Sequence, residues 1–140
     1  MPLIAVAMLL ASAAAAQAPA TWILVIVGVG GDEAHRTKFA ALAERMVEAG
    51  VDRFGVSADR VRVLAERVEL LPTTASGRST RGEIESAVAS IGSAAVPGDR
   101  VLVLLIGHGS SRGEETFFNL PGPDMSAGDF ALLLELLSEQ

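Results

Sequence analysis

The chain has no cysteine among its 140 residues. That absence excludes disulfides, thiolate metal ligands and a cysteine nucleophile within these residues. It is also short of positive charge, with 11 Lys and Arg against 17 Asp and Glu and a net charge of −6. Phosphate neutralisation needs clustered basic side chains, so nucleic acid is not expected as a partner. No internal repeat is visible. The glycines of Gly28-Val29-Gly30-Gly31 lack the G-x-G-x-x-G spacing of a dinucleotide fingerprint, and no acidic residue is expected at the end of an adjacent second strand to hold a ribose. They read instead as a tight exit from a strand.

All charged residues lie beyond position 20. Before them, Leu3–Ala16 is an uncharged run of Leu, Ile, Val and Ala, followed by Gln17-Ala18-Pro19-Ala20. Such a run is too short to span a bilayer comfortably and has the form of a secretory leader with a small-residue cleavage site, although no Lys or Arg precedes it. Cleavage after Ala16 fits better than after Ala18, because Pro19 would then follow the scissile bond. Residues 1–18 therefore read as a signal peptide and residues 21–140 as one domain. The expected location is the periplasm or the exterior, with no membrane span once the leader is removed. Half of the residues are hydrophobic, enough to build a single core.

Trp22–Val29 is an apolar, β-branched first strand; Val61, Val63 and Leu64 mark a short second one; Val101–Ile106 is a third. Six consecutive aliphatics in that third run, after the Pro97-Gly98-Asp99-Arg100 turn, are the pattern of a central strand buried on both faces. Apolar residues at Phe39, Leu42, Ala43, Met46 and Val47 predict a helix over 34–49 ended by Gly50. Thr80-Arg81-Gly82-Glu83 is a capping-box pattern opening a helix over 81–95, and Ser126 or Asp124 can cap a last helix over 126–138. Pro72–Thr80 reads as an exposed loop, Ser110–Glu115 as a polar loop, and Thr116–Leu120 as a short extended segment. Strands alternating with helices imply right-handed crossovers, hence a three-layer α/β sandwich with a mainly parallel sheet. Three convincing strands are fewer than sheets usually have, so the sheet reads as incomplete.

His108 follows the third strand, flanked by Gly107 and Gly109. In open α/β sheets, ligands bind beyond the carboxyl ends of the strands. A neutral imidazole there can act as general base, and the Gly109 amide can donate to a developing oxyanion. Ser110 and Ser111 are too close in sequence to fold back onto the ring while facing a substrate, and neither lies on a G-x-S-x-G turn.

Trp22–Gly28, Thr80-Arg81-Gly82-Glu83-Ile84, Gly98-Asp99 before Val101–Ile106, and Gly107-His108-Gly109-Ser110 together resemble the amino-terminal half of the caspase-like (clan CD) peptidases, the legumain-like branch above all. The resemblance covers about residues 21–137. It implies that His108 is the catalytic histidine, that Gly109 belongs to the catalytic motif, and that Arg36 lies where legumain-like enzymes carry a substrate-pocket arginine. It implies a peptide or protein substrate, with no cofactor and no metal. In caspases the histidine lies about 50 residues upstream of the nucleophilic cysteine, more than the chain provides after His108. The chain is therefore expected to be a fragment of such a peptidase, inactive alone. A non-catalytic binding domain on the same fold is the alternative. Gly107-His108-Gly109-Ser110-Ser111-Arg112 also resembles the metal-binding signature of sirohydrochlorin and cobalt chelatases, although there the signature follows the first strand, and His35 is the sole other histidine here.

Overall fold

A computed structural model of the chain describes residues 18–138. The expected leader thus lies outside the described residues, apart from Ala18. Strand β1 (Thr21–Val27) is the centre of the molecule. Its side chains alternate between two cores on opposite faces of one sheet. Ile23, Val25 and Val27 join Ala40 and Ala43 of helix α1 (Glu33–Glu48), whereas Trp22, Leu24 and Ile26 join Ile84, Val88 and Ile91 of helix α2 (Arg81–Ala94). Phe130, Leu133 and Leu137 of helix α3 (Ala127–Ser138) pack against the second core.

The sheet runs in the order β3-β2-β1-β4, with β2 at Val61–Ala65, β3 at Gly77–Arg78 and β4 at Arg100–Ile106. Every pairing in it is parallel, with Ile23 opposite Val61 and Thr21 opposite Arg100 at the amino ends. The α/β class and the parallel sheet between helices are therefore as the sequence predicts. A second, antiparallel sheet joins β5 (Gly109–Arg112), β6 (Glu115–Phe118) and β7 (Met125–Ser126).

Each helix starts on a side-chain cap that satisfies an otherwise unpaired amide. Asp32 Oδ1 accepts from the His35 amide at 2.8 Å, Thr80 Oγ1 from Glu83, and Ser126 Oγ from Asp129 at 3.1 Å. Asp129 also reaches back to the Ser126 amide at 2.7 Å, while Arg81 Nη1 and Nη2 grip both of its carboxylate oxygens at 3.0 and 2.9 Å. That bidentate pair joins the first turn of α2 to the first turn of α3.

Four expectations need correction. First, β4 is an edge strand rather than the centre: it pairs with β1 on one side, and among the described residues its other edge is open. Leu102 is 47 % and Leu105 45 % exposed, so the aliphatic run has the composition of a doubly covered strand without the cover. Second, the segment from Pro72 to Thr80 contains β3 and the fully buried Ser79, whose hydroxyl donates to Val27 O at 2.6 Å. A polar residue that satisfies a sheet-end carbonyl looks, in sequence, like loop. Third, the polar stretch after His108 is a strand, because β5 pairs across a hairpin with β6 rather than burying side chains. Fourth, α1 does not end at Gly50 but runs on into a π-helical turn, Ala49–Arg53, in which Gly50 lies buried against the Ile23 side of the sheet.

The Arg81 pair and the Ser126 bonds hold the Asp129 carboxyl far below its usual range. Its contribution to stability is therefore complete above the unfolded value of about 4 and declines as pH falls below it. Asp129→Asn is expected to lower the melting temperature at pH 7 by several degrees and to narrow the difference between pH 7 and pH 3, both read by circular dichroism.

Candidate functional site

β1 and β4 end side by side, Val27 opposite Ile106, and the chain leaves each at a glycine. Gly28 N–H donates to Ile106 O at 2.9 Å and so carries the pairing one step past the strands. Both glycines are dictated by the β5–β6 hairpin, which folds back over the strand ends. A Cβ on Gly28 would lie 2.5 Å from Asn119 O and 2.8 Å from the Phe118 ring; one on Gly107 would lie 3.0 Å from that ring and 3.2 Å from Gly28 Cα. The close approach presents the next residue, His108, at the carboxyl edge of the sheet with its side chain exposed.

Asn119 locks that geometry. Its N–H donates to His108 O at 3.0 Å, its carbonyl accepts from Val29 N–H at 2.9 Å, and its side-chain oxygen accepts from Ser110 Oγ at 2.9 Å. The first of these bonds also fixes the phase of the antiparallel ladder: Gly109 and Phe118 are a non-hydrogen-bonded pair. The Gly109 N–H consequently faces away from β6 and takes no part in that ladder. The Ser110 hydroxyl, by contrast, is held by Asn119.

Against His108 stands the first turn of α1. The His35 ring lies 4.9 Å from the His108 ring, centre to centre, and Phe39, one turn on, lies 5.2 Å from His108 and 5.8 Å from His35. Thus the two histidines of the chain, far apart in sequence, share one cluster. Asp32 orients the nearer one, since its Oδ2 sits 2.8 Å from His35 Nδ1 while its Oδ1 caps the helix. The amide and imidazole bonds of His35 hold the Asp32 carboxyl below its ordinary value. An ionised carboxylate only accepts, so His35 Nδ1 carries a proton, and in the neutral form of the ring Nε2 is the nitrogen with the lone pair.

Arg36, the residue expected in a substrate pocket, turns the other way. Its Nε contacts both Glu66 oxygens at 3.3 Å, Nη1 lies 3.6 Å from Glu33, and Nη2 donates to Gly31 O at 3.4 Å. Glu66 directly follows β2, so an acidic residue does end the neighbouring strand. Its carboxylate accepts from the Gly30 N–H at 2.9 Å and faces Arg36, which ties the glycine loop to the sheet.

Of the sequence-derived site residues, the fold brings His108 and Gly109 to one edge and turns the Arg36 guanidinium into the loop beneath α1. Sequence reasoning missed Asp32, Phe39 and Asn119. The D-x-x-H spacing of Asp32 and His35 was the available signal for the first, because an N-cap carboxylate can also reach the ring at N3. Among the described residues, no three His, Cys, Asp or Glu side chains converge as a ready-made metal cage, and no helix is long and apolar enough to cross a membrane. Compared with protein-family models, curated proteins and solved structures, the chain matches none.

Two measurements check this geometry. Gly28→Ala is expected to cost about 1–3 kcal/mol in denaturant unfolding, the range for overpacking a close contact. In long-range ¹H–¹⁵N spectra recorded where both imidazoles are neutral, His35 is expected as the Nδ1–H tautomer, and Asp32→Ala is expected to move it toward Nε2–H.

Proposed function

We propose that this domain is the histidine-bearing half of a caspase-like peptidase site of the legumain branch. His108 is its general base and the Gly109 amide its oxyanion donor; the nucleophile comes from residues outside the 140 of this chain. The observation that carries the reading is the position of His108 at the carboxyl end of β4, next to a sheet edge that is open among the described residues. A further strand paired in parallel with that edge would end beside the imidazole. An exposed ring and an amide turned away from the hairpin ladder on consecutive residues would supply proton transfer and charge stabilisation, whereas the chain has no cysteine to attack and the Ser110 hydroxyl is held by Asn119.

The substrate in this reading is a peptide or protein, and no cofactor takes part. Gln17-Ala18-Pro19-Ala20 and the apolar run before it support export, so the site would work in the periplasm or outside the cell.

The 140-residue chain is expected to leave peptides containing Asn, Asp, Arg or Lys uncleaved, as followed by mass spectrometry. Supplying in the same polypeptide a following strand that ends in cysteine is expected to give cleavage that His108→Ala abolishes. Hydrolysis by the 140-residue chain that disappears in His108→Ala would overturn the half-site reading.

A further inference from the structure

We infer that His35 and His108 form a two-imidazole site for a borderline divalent transition metal such as Zn²⁺, with Asp32 fixing the ligand geometry. Three observations converge on it. The chain has two histidines and no cysteine, so its whole stock of nitrogen and sulfur metal ligands of this class lies at one place. The rings stand 4.9 Å apart, centre to centre, and inclined by 65°. Two imidazoles that share one ion at about 2.0–2.1 Å from each nitrogen have centres about 5 Å apart, so the observed spacing lets one ion reach both rings once a nitrogen of each faces it. The third observation is the Asp32 carboxylate on His35 Nδ1, 2.8 Å away. This is the carboxylate–histidine arrangement that supports metal-bound imidazoles: it fixes the tautomer and the ring orientation and leaves Nε2 as the ligating nitrogen.

The remaining requirements are met by exposure and by shape. His108 has no side-chain hydrogen bond among the described residues, so turning one of its nitrogens toward the ion breaks no hydrogen bond and readjusts only its ring contacts with His35 and Phe39. Phe39 lies against both rings and gives the site an apolar wall. With two protein ligands, the ion keeps its other positions for water or an incoming group. Binding releases no proton from neutral imidazoles and involves no redox change.

The metal site stands apart from the peptidase reading. Where that reading also holds, the ion takes the His108 lone pair that the base needs, and metal binding and proton abstraction exclude each other.

The test is titration of tag-free 140-residue chain with ZnCl₂ at pH 7.5, by calorimetry and by NMR of the two imidazoles. One ion per chain is expected, and both ring signal sets are expected to move together. His35→Gln and His108→Gln are each expected to weaken binding by at least tenfold, and Asp32→Asn by about tenfold. Unchanged affinity in His108→Gln, or movement of one imidazole alone, would overturn the proposal; the NMR arm uses unaltered protein and so decides the matter even if a variant unfolds. Because no step of the test measures hydrolysis, an absence of peptidase activity leaves its outcome untouched.

Discussion

The close meeting of two strand ends governs the rest of the molecule. Gly28 and Gly107 approach to a distance that admits no side chain on either, with the Phe118 ring above them and Asn119 bonded to both exits. Removing a side chain from each strand end lets the β5–β6 hairpin lie across the sheet edge, where it would otherwise clash. The hairpin in turn sets the ladder phase that turns the Gly109 amide away from β6, and its Asn119 holds the His108 backbone. Glycine costs conformational entropy at strand ends. Here that cost is offset by the hydrogen bonds that the close approach makes possible, each worth about 1 kcal/mol net.

The features that burial encodes were legible in the sequence. Runs of β-branched and aliphatic residues marked β1, β2 and β4, the stripe through Ile84, Val88 and Ile91 marked α2, and Thr80 and Ser126 marked two caps. The parallel sheet and the placement of His108 at its carboxyl edge follow from those alone. What escaped depends on partners distant in sequence. Nothing local distinguishes a central strand from an edge strand of the same composition, because coverage belongs to the neighbours of β4. Likewise β3 and β5 are built from Gly, Ser and Arg, and are strands because of backbone pairing rather than side-chain burial.

The site follows the same division. His108 and Gly109 could be named from a strand followed by a glycine–histidine–glycine sequence, since their placement is set by the segment they belong to. The Asp32–His35–Phe39 face could not, because its relevance arises only when α1 packs its first turn toward the end of β4. Arg36 illustrates the converse. Its position in the chain fits a pocket residue, yet Glu66, which takes a bifurcated bond from Nε, and the carbonyl of Gly31, which accepts from Nη2, offer its guanidinium partners at home. An arginine goes where its fork is matched, and sequence position does not reveal where that is.

The edge of β4, open among the described residues, gives the site its direction. An unpaired edge carrying half-exposed leucines is a liability that folded proteins cover, pair or blunt with charge. Arg100 is the sole charged residue of β4, and it lies at the amino end, leaving Leu102 to Ile106 unguarded. The orientation of a covering strand then decides what reaches His108. An antiparallel neighbour would bring its amino end and the incoming loop to the imidazole. A parallel neighbour would bring its carboxyl end, where the chain turns toward a helix and where side chains are best placed to act on a bound ligand. Since every pairing already present in the sheet is parallel, and since a right-handed crossover continues that pattern without strain, the parallel arrangement is the one the existing sheet favours.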